Sequence, residues 1–372
     1  MTGAALTLLV PTYNRYPKLQ RLLTYTASVG MTAPIWILDS SSEPLRNGRL
    51  EQLLPTNGIS HRRYDPVTSP MEKLADGLDR VSTPYVVVWN DDDFLVPRVV
   101  EAGVRFLERH PDYSIAHGRS AIFRPSLQGG REMVEWIAPY AGRSIMEATA
   151  SERLVDHFKR YDAVLNYSVH RTALLRENIQ QCCAKGFGYI WGELALGGLD
   201  MIQGKARCLN QLYLMKEVHG GADAWINSVR ETESLDPQRS CETTRAGNTF
   251  DWFTEPSFPA KYAAFHDCLA TALVRADGLP RVHAEDVVTK AFWSYAIRAL
   301  STKWQGRYGV VGQSWQVRTR ELMRRLPGAR AIWRAMQPWL PGSRQAMSLP
   351  ALLRLGSPLH EDFMLIYQAI TE

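Results

Sequence analysis

The sequence predicts an α/β fold: a mostly parallel sheet with helices on both faces, followed by a mainly helical C-terminal region. Three observations predict it. Over about the first hundred residues, short apolar runs alternate with longer stretches of helical periodicity. Alternation of strand and helix builds βαβ units, and those units build parallel sheets. Three of the apolar runs end in polar stretches, at residues 12–15, 39–42 and 90–93. Ligands of such sheets sit beyond the carboxyl ends of the strands, so all three stretches are expected on one edge.

The elements follow in order. "ALTLLVP" reads as a buried strand. "YPKLQRLLTYTASVG" reads as a helix, with Leu19, Leu22, Leu23 and Thr26 on one side and Gly30 as its stop. "PIWILDSS" is a second strand and "SHRRYD" a short third. "SPMEKLADGLDRV" is a helix with Ser69 as N-cap, Pro70 in the first helical position and Glu72 closing a capping box. "PYVVVWN" is a buried strand, "VPRVVEAGVRFLERHP" a helix and "YSIAHGRSAIF" a strand. Beyond them the sequence predicts a helix, a strand over about residues 163–169 and a second helix. A short helix from about Gly192 follows, then a strand ending near His219. The expected organisation is one α/β domain over residues 1–230, a polar, breaker-rich linker or active-site loop over 231–258, and a helical region over 259–372.

Composition sets the bounds. Of 372 residues, 45% are apolar, enough for a full core. The net charge of +5 is mild for that length and gives no ground for nucleic-acid binding. Five cysteines, an odd number without C-x-x-C, argue against a disulfide framework or a zinc ribbon and for a reducing cytoplasm. The apolar run at 6–10 is too short for a secretory signal and lacks a basic lead. No stretch approaches the length of a membrane span.

The most informative stretch is "VVVWNDDDFLVP", residues 86–97. Adjacent carboxylates repel one another and form strands poorly. A solvated turn with one Asp capping the next helix would explain an isolated pair. Three carboxylates running straight out of a buried strand suit a hard divalent cation. Mg²⁺ or Mn²⁺ takes one or two carboxylates together with substrate phosphates. There is no G-x-x-x-x-G-K-S/T, which excludes a P-loop, and no G-x-G-x-x-G after the first strand, which argues against a dinucleotide.

Together, "TLLVPTYNRYPKLQRLL", "ILDSS" and "TPYVVVWNDDDFLVP" resemble the nucleotide-binding half of family 2-like glycosyltransferases with the GT-A fold. The resemblance covers about the first hundred residues and fades beyond Phe123. It implies a Rossmann-like sheet, a nucleoside-diphosphate sugar as donor and Mn²⁺ or Mg²⁺ as cofactor. By position it places Pro11, Thr12, Tyr13 and Arg15 against the nucleoside. Asp39 matches the residue that accepts the ring N–H of uracil, which favours a UDP-sugar, although Ser40 stands where the family often has a second Asp. Lys73 lies on the same edge, as a nucleotide contact or as a solvated lysine. For the acids two registers stay open. In one, Asp91 holds ribose or sugar and Asp92 the metal; in the other, Asp91 and Asp93 form the Asp-x-Asp pair. Glu193, expected at a helix start, matches the acceptor-activating carboxylate of inverting members, with an ordinary first-turn glutamate as the other reading. Trp191 and glycines 188, 192, 197 and 198 would let a sugar come close. His219 matches an additional metal ligand after the next strand.

From 303 to 344 bases outnumber acids and tryptophans are interleaved. That pattern suits an anionic glycan or lipid-linked acceptor, a peripheral contact with the inner face of a membrane, or a helical subdomain packed by its tryptophans. The expected activity is sugar transfer, with inversion, to a hydroxyl of such an acceptor. A sugar-1-phosphate nucleotidyltransferase is the alternative enzyme, and "VPTYNRYPK" lacks the glycine-rich loop it would need. A non-catalytic relative that binds nucleotide or glycan is the third reading.

Overall fold

The computed structural model describes residues 5–45, 48–54, 58–161, 163–218, 255–308 and 348–371. Its organising strand is β1 (Leu6–Thr12), whose side chains alternate between two apolar layers. Leu8 and Val10 join Leu19, Leu22 and Leu23 of α1 (Tyr16–Ser28). Leu9 faces the other way, into a cluster with Leu74 and Leu78 of α3 (Pro70–Arg80). Both halves of the capping box at Ser69 and Glu72 are present, and Gly30 takes the left-handed conformation just past α1. β2 (Ile35–Asp39) and β4 (Tyr85–Val88) flank β1, and β3 (Ile59–Arg63) lies outside β2. These four pair in parallel, as the sequence predicts. α2 (Gly48–Leu53) lies between β2 and β3 in the chain.

The remaining strands extend this block. Nine strands among the described residues form one sheet, in the order β3-β2-β1-β4-β8-β6-β9-β5 with β7 on β6. β8 (Val169–Arg171) runs antiparallel to β4 and to β6 (Tyr113–Gln128). β6 pairs in parallel with β9 (Lys205–Glu217). β5 (Phe94–Leu95), directly after the three aspartates, pairs antiparallel with Met215 and Leu214 of β9. α4 (Pro97–Arg109) packs on β6.

Several elements differ from the sequence expectation. The strand placed over 163–169 is a 3-10 turn (Ala163–Tyr167) followed by β8. It lies between α5 (Ala150–Lys159) and α6 (Thr172–Ala184). β6 runs on to a hairpin with β7 (Arg131–Ala141), turning at Gly129 and Gly130, both with positive φ. The short helix from Gly192 is a fifteen-residue helix, α7 (Tyr189–Gln203), apolar nearly all round and buried.

The C-terminal helices cover both faces of the sheet. α8 (Phe258–Asp277) and α9 (Arg281–Tyr308) pack with α5 and α7 over the face that holds Leu9. α10 (Leu349–Leu352) and α11 (His360–Thr371) reach the opposite face, where Phe363, Ile366 and Ile370 join Leu8 and Val10. Asp362 of α11 pairs with Arg98 of α4. The linker at 231–258 lies outside the described residues up to 254, as does most of the basic, Trp-rich segment at 303–344, with Trp315, Trp333 and Trp339. No described helix is long and apolar enough to cross a membrane.

Candidate active site

The three polar stretches meet at the carboxyl edge of β1, β2 and β4. At the end of β1, Pro11 is in register with Leu38 and Thr12 with Asp39. Asn14 adopts a left-handed conformation (φ 52°), which asparagine tolerates better than most side chains. That bend lets the Asn14 N–H reach Ser41 Oγ at 2.8 Å while Asn14 Oδ1 accepts the Ser42 N–H at 3.0 Å. The Tyr13 hydroxyl lies 3.4 Å from Ser42 Oγ. The first two loops are therefore stitched together before any ligand arrives.

Lys73 holds them from below. It is buried, and its ammonium donates to Thr12 O at 2.9 Å and Ser40 Oγ at 2.8 Å. It is neither a solvated lysine nor an open nucleotide contact. Burial lowers its pKa to about 8, with Asp39 and Asp91 pulling the other way. Below pH 8 the fold carries an ammonium that the unfolded chain bears at lower cost. Between pH 8 and the ordinary lysine range the unfolded chain binds the proton that the folded chain has released, so stability rises with pH there. The shift corresponds to an upper figure of roughly 3 kcal/mol. Urea midpoints of the wild type should therefore climb from pH 8 to 10 more steeply than those of Lys73→Met. Parallel curves would show that Lys73 titrates normally.

The three aspartates do not act as a set. Asp91 Oδ2 accepts the Thr12 hydroxyl at 2.7 Å. Asp91 Oδ1 and Asp92 Oδ2 both face Arg15 Nη1, at 3.4 and 2.8 Å. Asp93 turns away: its Oδ1 accepts the Glu217 N–H at 3.0 Å, and its Oδ2 faces Asn90 Nδ2 at 3.3 Å and Lys216 Nζ at 3.5 Å. The Trp89 indole N–H donates to Asp93 O at 3.1 Å and fixes the turn. Burial, with Asp92 alongside, raises the pKa of Asp91; burial raises that of Asp93 against Lys216.

Asp39 is fully buried and already well occupied. Its Oδ1 accepts the Ser41 N–H at 2.8 Å, and its Oδ2 faces the Tyr16 hydroxyl and His61 Nε2, each at 2.9 Å. Burial alone would raise its pKa; hydrogen bonds from His61, Ser41 and Tyr16 outweigh that and hold it near 2. Arg63 completes the group, donating to Ser41 O, Glu43 O and the Tyr16 hydroxyl.

Glu193 lies on α7 past its first turn, not at a helix start. Its Oε1 accepts the Tyr161 hydroxyl at 2.8 Å. The glycines near it serve packing: a Cβ on Gly192 would lie 2.4 Å from Met71 Cε, and one on Gly197 2.7 Å from His157 Nε2. Trp191 is core, stacked on Phe292 with ring centroids 5.9 Å apart.

Sequence reasoning missed the residues that β9 and the 3-10 turn deliver. Lys216 Nζ lies 3.2 Å from the Tyr167 hydroxyl, which also accepts Asn90 Nδ2 at 3.0 Å. Glu217 is buried, takes Lys18 at 2.7 Å and pairs with Arg21. Arg21 donates in turn to Asp92 O at 2.9 Å. No signal local to residues 216 and 217 marks them, because their partners come from α1, the acidic turn and the 3-10 turn, all distant in the chain.

The donor set fits a divalent cation in one way. Two carboxylate oxygens, from Asp91 and Asp92, converge on a single cationic nitrogen, and a hard cation can use such a pair when substrate phosphates complete its shell. Among the described residues no group of three His, Cys, Asp or Glu could hold a metal. His219 lies outside the described residues.

No protein-family model matches the chain, and no curated protein matches it. Among solved structures it is similar to S. aureus TarS 1-349 in complex with UDP-GlcNAc, with 15% identity over 82% of this chain and 93% of that one and a TM-score of 0.40. The UDP complex of the same protein gives 15% identity, 83% and 94% coverage and a TM-score of 0.41. CMP:2-keto-3-deoxy-manno-octonic acid synthetase complexed with CTP gives 13% identity, 62% and 99% coverage and a TM-score of 0.33. Likenesses this loose carry no argument for function.

Proposed function

We propose that the chain is a metal-dependent glycosyltransferase of the GT-A type. It moves a sugar from a nucleoside diphosphate, with UDP favoured, to a hydroxyl of a glycan or lipid-linked acceptor. The observation that carries the reading is the convergence of Asp91 and Asp92 on one cationic point at the carboxyl edge of the sheet. Their repulsion is offset at Arg15, whose side chain is 32% exposed, a cation that can be exchanged for another.

The roles follow from the chemistry. Thr12 orients Asp91, and Lys73 fixes the floor of the nucleotide site. Asp91 and Asp92 would hold a divalent cation, which would supply the charge neutralisation that a departing diphosphate needs. Arg15, displaced from the carboxylates, has the planar donor fork suited to phosphate oxygens. The acceptor oxygen attacks the anomeric carbon while the bond from that carbon to the diphosphate breaks and its electron pair leaves with the nucleotide. Glu193 takes the hydroxyl proton. Attack opposite the leaving group inverts the anomeric carbon. Asp93 is assigned to holding β9, and Asp39 reads uracil only if Tyr16 or His61 gives way. A cytoplasmic enzyme working at the inner face of a membrane is the setting that fits this reading.

Calorimetric titration with UDP, GDP and CMP, each with and without Mn²⁺, tests the proposal. Binding of UDP that needs the metal is the expected result. Tight binding of a different nucleotide would keep the carboxylate assignment and remove Asp39 as the base reader. No binding of any of the three would sink the proposal.

A further inference from the structure

The geometry points to Tyr161 as a positioning residue that aims the Glu193 carboxylate, with Tyr295 of the C-terminal helices holding Tyr161 in place. The inference rests on the proposed role of Glu193. The Tyr161 hydroxyl donates to Glu193 Oε1 at 2.8 Å. Tyr161 follows Arg160, the C-cap of α5, and its partly buried ring is flanked by aromatic neighbours. Phe158 stacks on it at 6.0 Å, His157 lies at 5.1 Å, and Tyr295 of α9 meets it edge-on at 5.0 Å. A ring flanked in this way loses little freedom when its hydroxyl engages a carboxylate, so the hydrogen bond holds direction as well as charge.

The surroundings explain why such a hold is needed. Glu193 lies past the first turn of α7, where the helix N-terminus no longer fixes it. Burial raises the pKa of Tyr295 and of Tyr167, and the charge of Glu193 adds to the rise in both. Tyr167 is bonded to Asn90 and Lys216, and through them to the acidic turn. The carboxylate thus stands between a tyrosine tied to the donor site and a tyrosine tied to α9. In this arrangement α9 supports the reacting groups, in addition to any contact it makes with an acceptor.

The test uses the full chain and release of UDP with water as acceptor. The probe is whichever UDP-hexose or UDP-N-acetylhexosamine reacts fastest with Mn²⁺. Tyr161→Phe keeps the ring packing and loses only the hydroxyl. Its kcat should fall about tenfold, with the donor KM unchanged and the unfolding temperature kept. Tyr295→Leu, which removes the edge-on ring, should share the loss in kcat. Wild-type kcat in Tyr161→Phe overturns the inference, and so does a fall that comes only with a raised KM and a lowered unfolding temperature. Glu193→Gln separates the layers. If it releases UDP at the wild-type rate, the base assignment and this inference fall together. If it is inactive while Tyr161→Phe keeps the wild-type kcat, only this inference falls.

Discussion

Exchange of Asp92 for Asn is expected to reduce sugar transfer about a thousandfold while leaving the fold intact. The substitution changes charge and hardly changes size. The amide oxygen still accepts from Arg15, as Asp92 Oδ2 does at 2.8 Å, and Arg21 still donates to the backbone at Asp92. What is lost is one of the two anionic oxygens that face a common cation. Mn²⁺-dependent UDP affinity should fall with the rate. Asp93→Asn should behave differently. Asp93 binds the backbone of Glu217 and faces Lys216, so its main effect should be a lower unfolding temperature. The pair of variants decides between the two registers left open by the sequence. Full metal response in Asp92→Asn together with its loss in Asp93→Asn would reverse the assignment.

Glu193→Gln is the second large effect. A general base contributes about a hundredfold to ten-thousandfold, and transfer should fall by that amount. UDP affinity should be kept, because no nucleotide-binding role falls on α7. The glutamine carbonyl can still accept from Tyr161, so packing around α7 should be preserved and the unfolding temperature should match the wild type. NMR of the product anomer from the wild type gives the stereochemical check. Retention of the donor's configuration would exclude single displacement assisted by Glu193.

The sequence was most legible where structure is local. The alternation of β1 to α4, the capping box at Ser69 and the stop at Gly30 depend on residues within a few positions of one another. The shared edge of residues 12–15, 39–42 and 90–93 follows from topology alone. The hairpin of β6 and β7 carried a readable signal in Gly129–Gly130, obscured by Pro125 and by the charges of Arg124, Arg131 and Glu132. The roles of Lys73, Asp93 and Tyr161 were not legible, because each is set by a partner far off in the chain. Gly192 and Gly197 misled for the same reason. A glycine beside a candidate base suggests room for substrate, and only tertiary packing shows Met71 and His157 filling that room.

The pairing of β5 with the end of β9 has a consequence for how the protein is made. Asp93 meets its partner at Glu217, 124 residues later in the chain. During vectorial synthesis the ribosome delivers the acidic turn long before the strand that completes it. Contacts of such sequence separation form late and slow folding. A nascent chain that has emerged only as far as α7 holds buried-type carboxylates without Lys216 or the Glu217 N–H to receive them. Donor affinity should therefore be gained in a single late step, and a fragment ending before β9 should not bind nucleotide, even though it contains the three polar stretches that meet at the sheet edge.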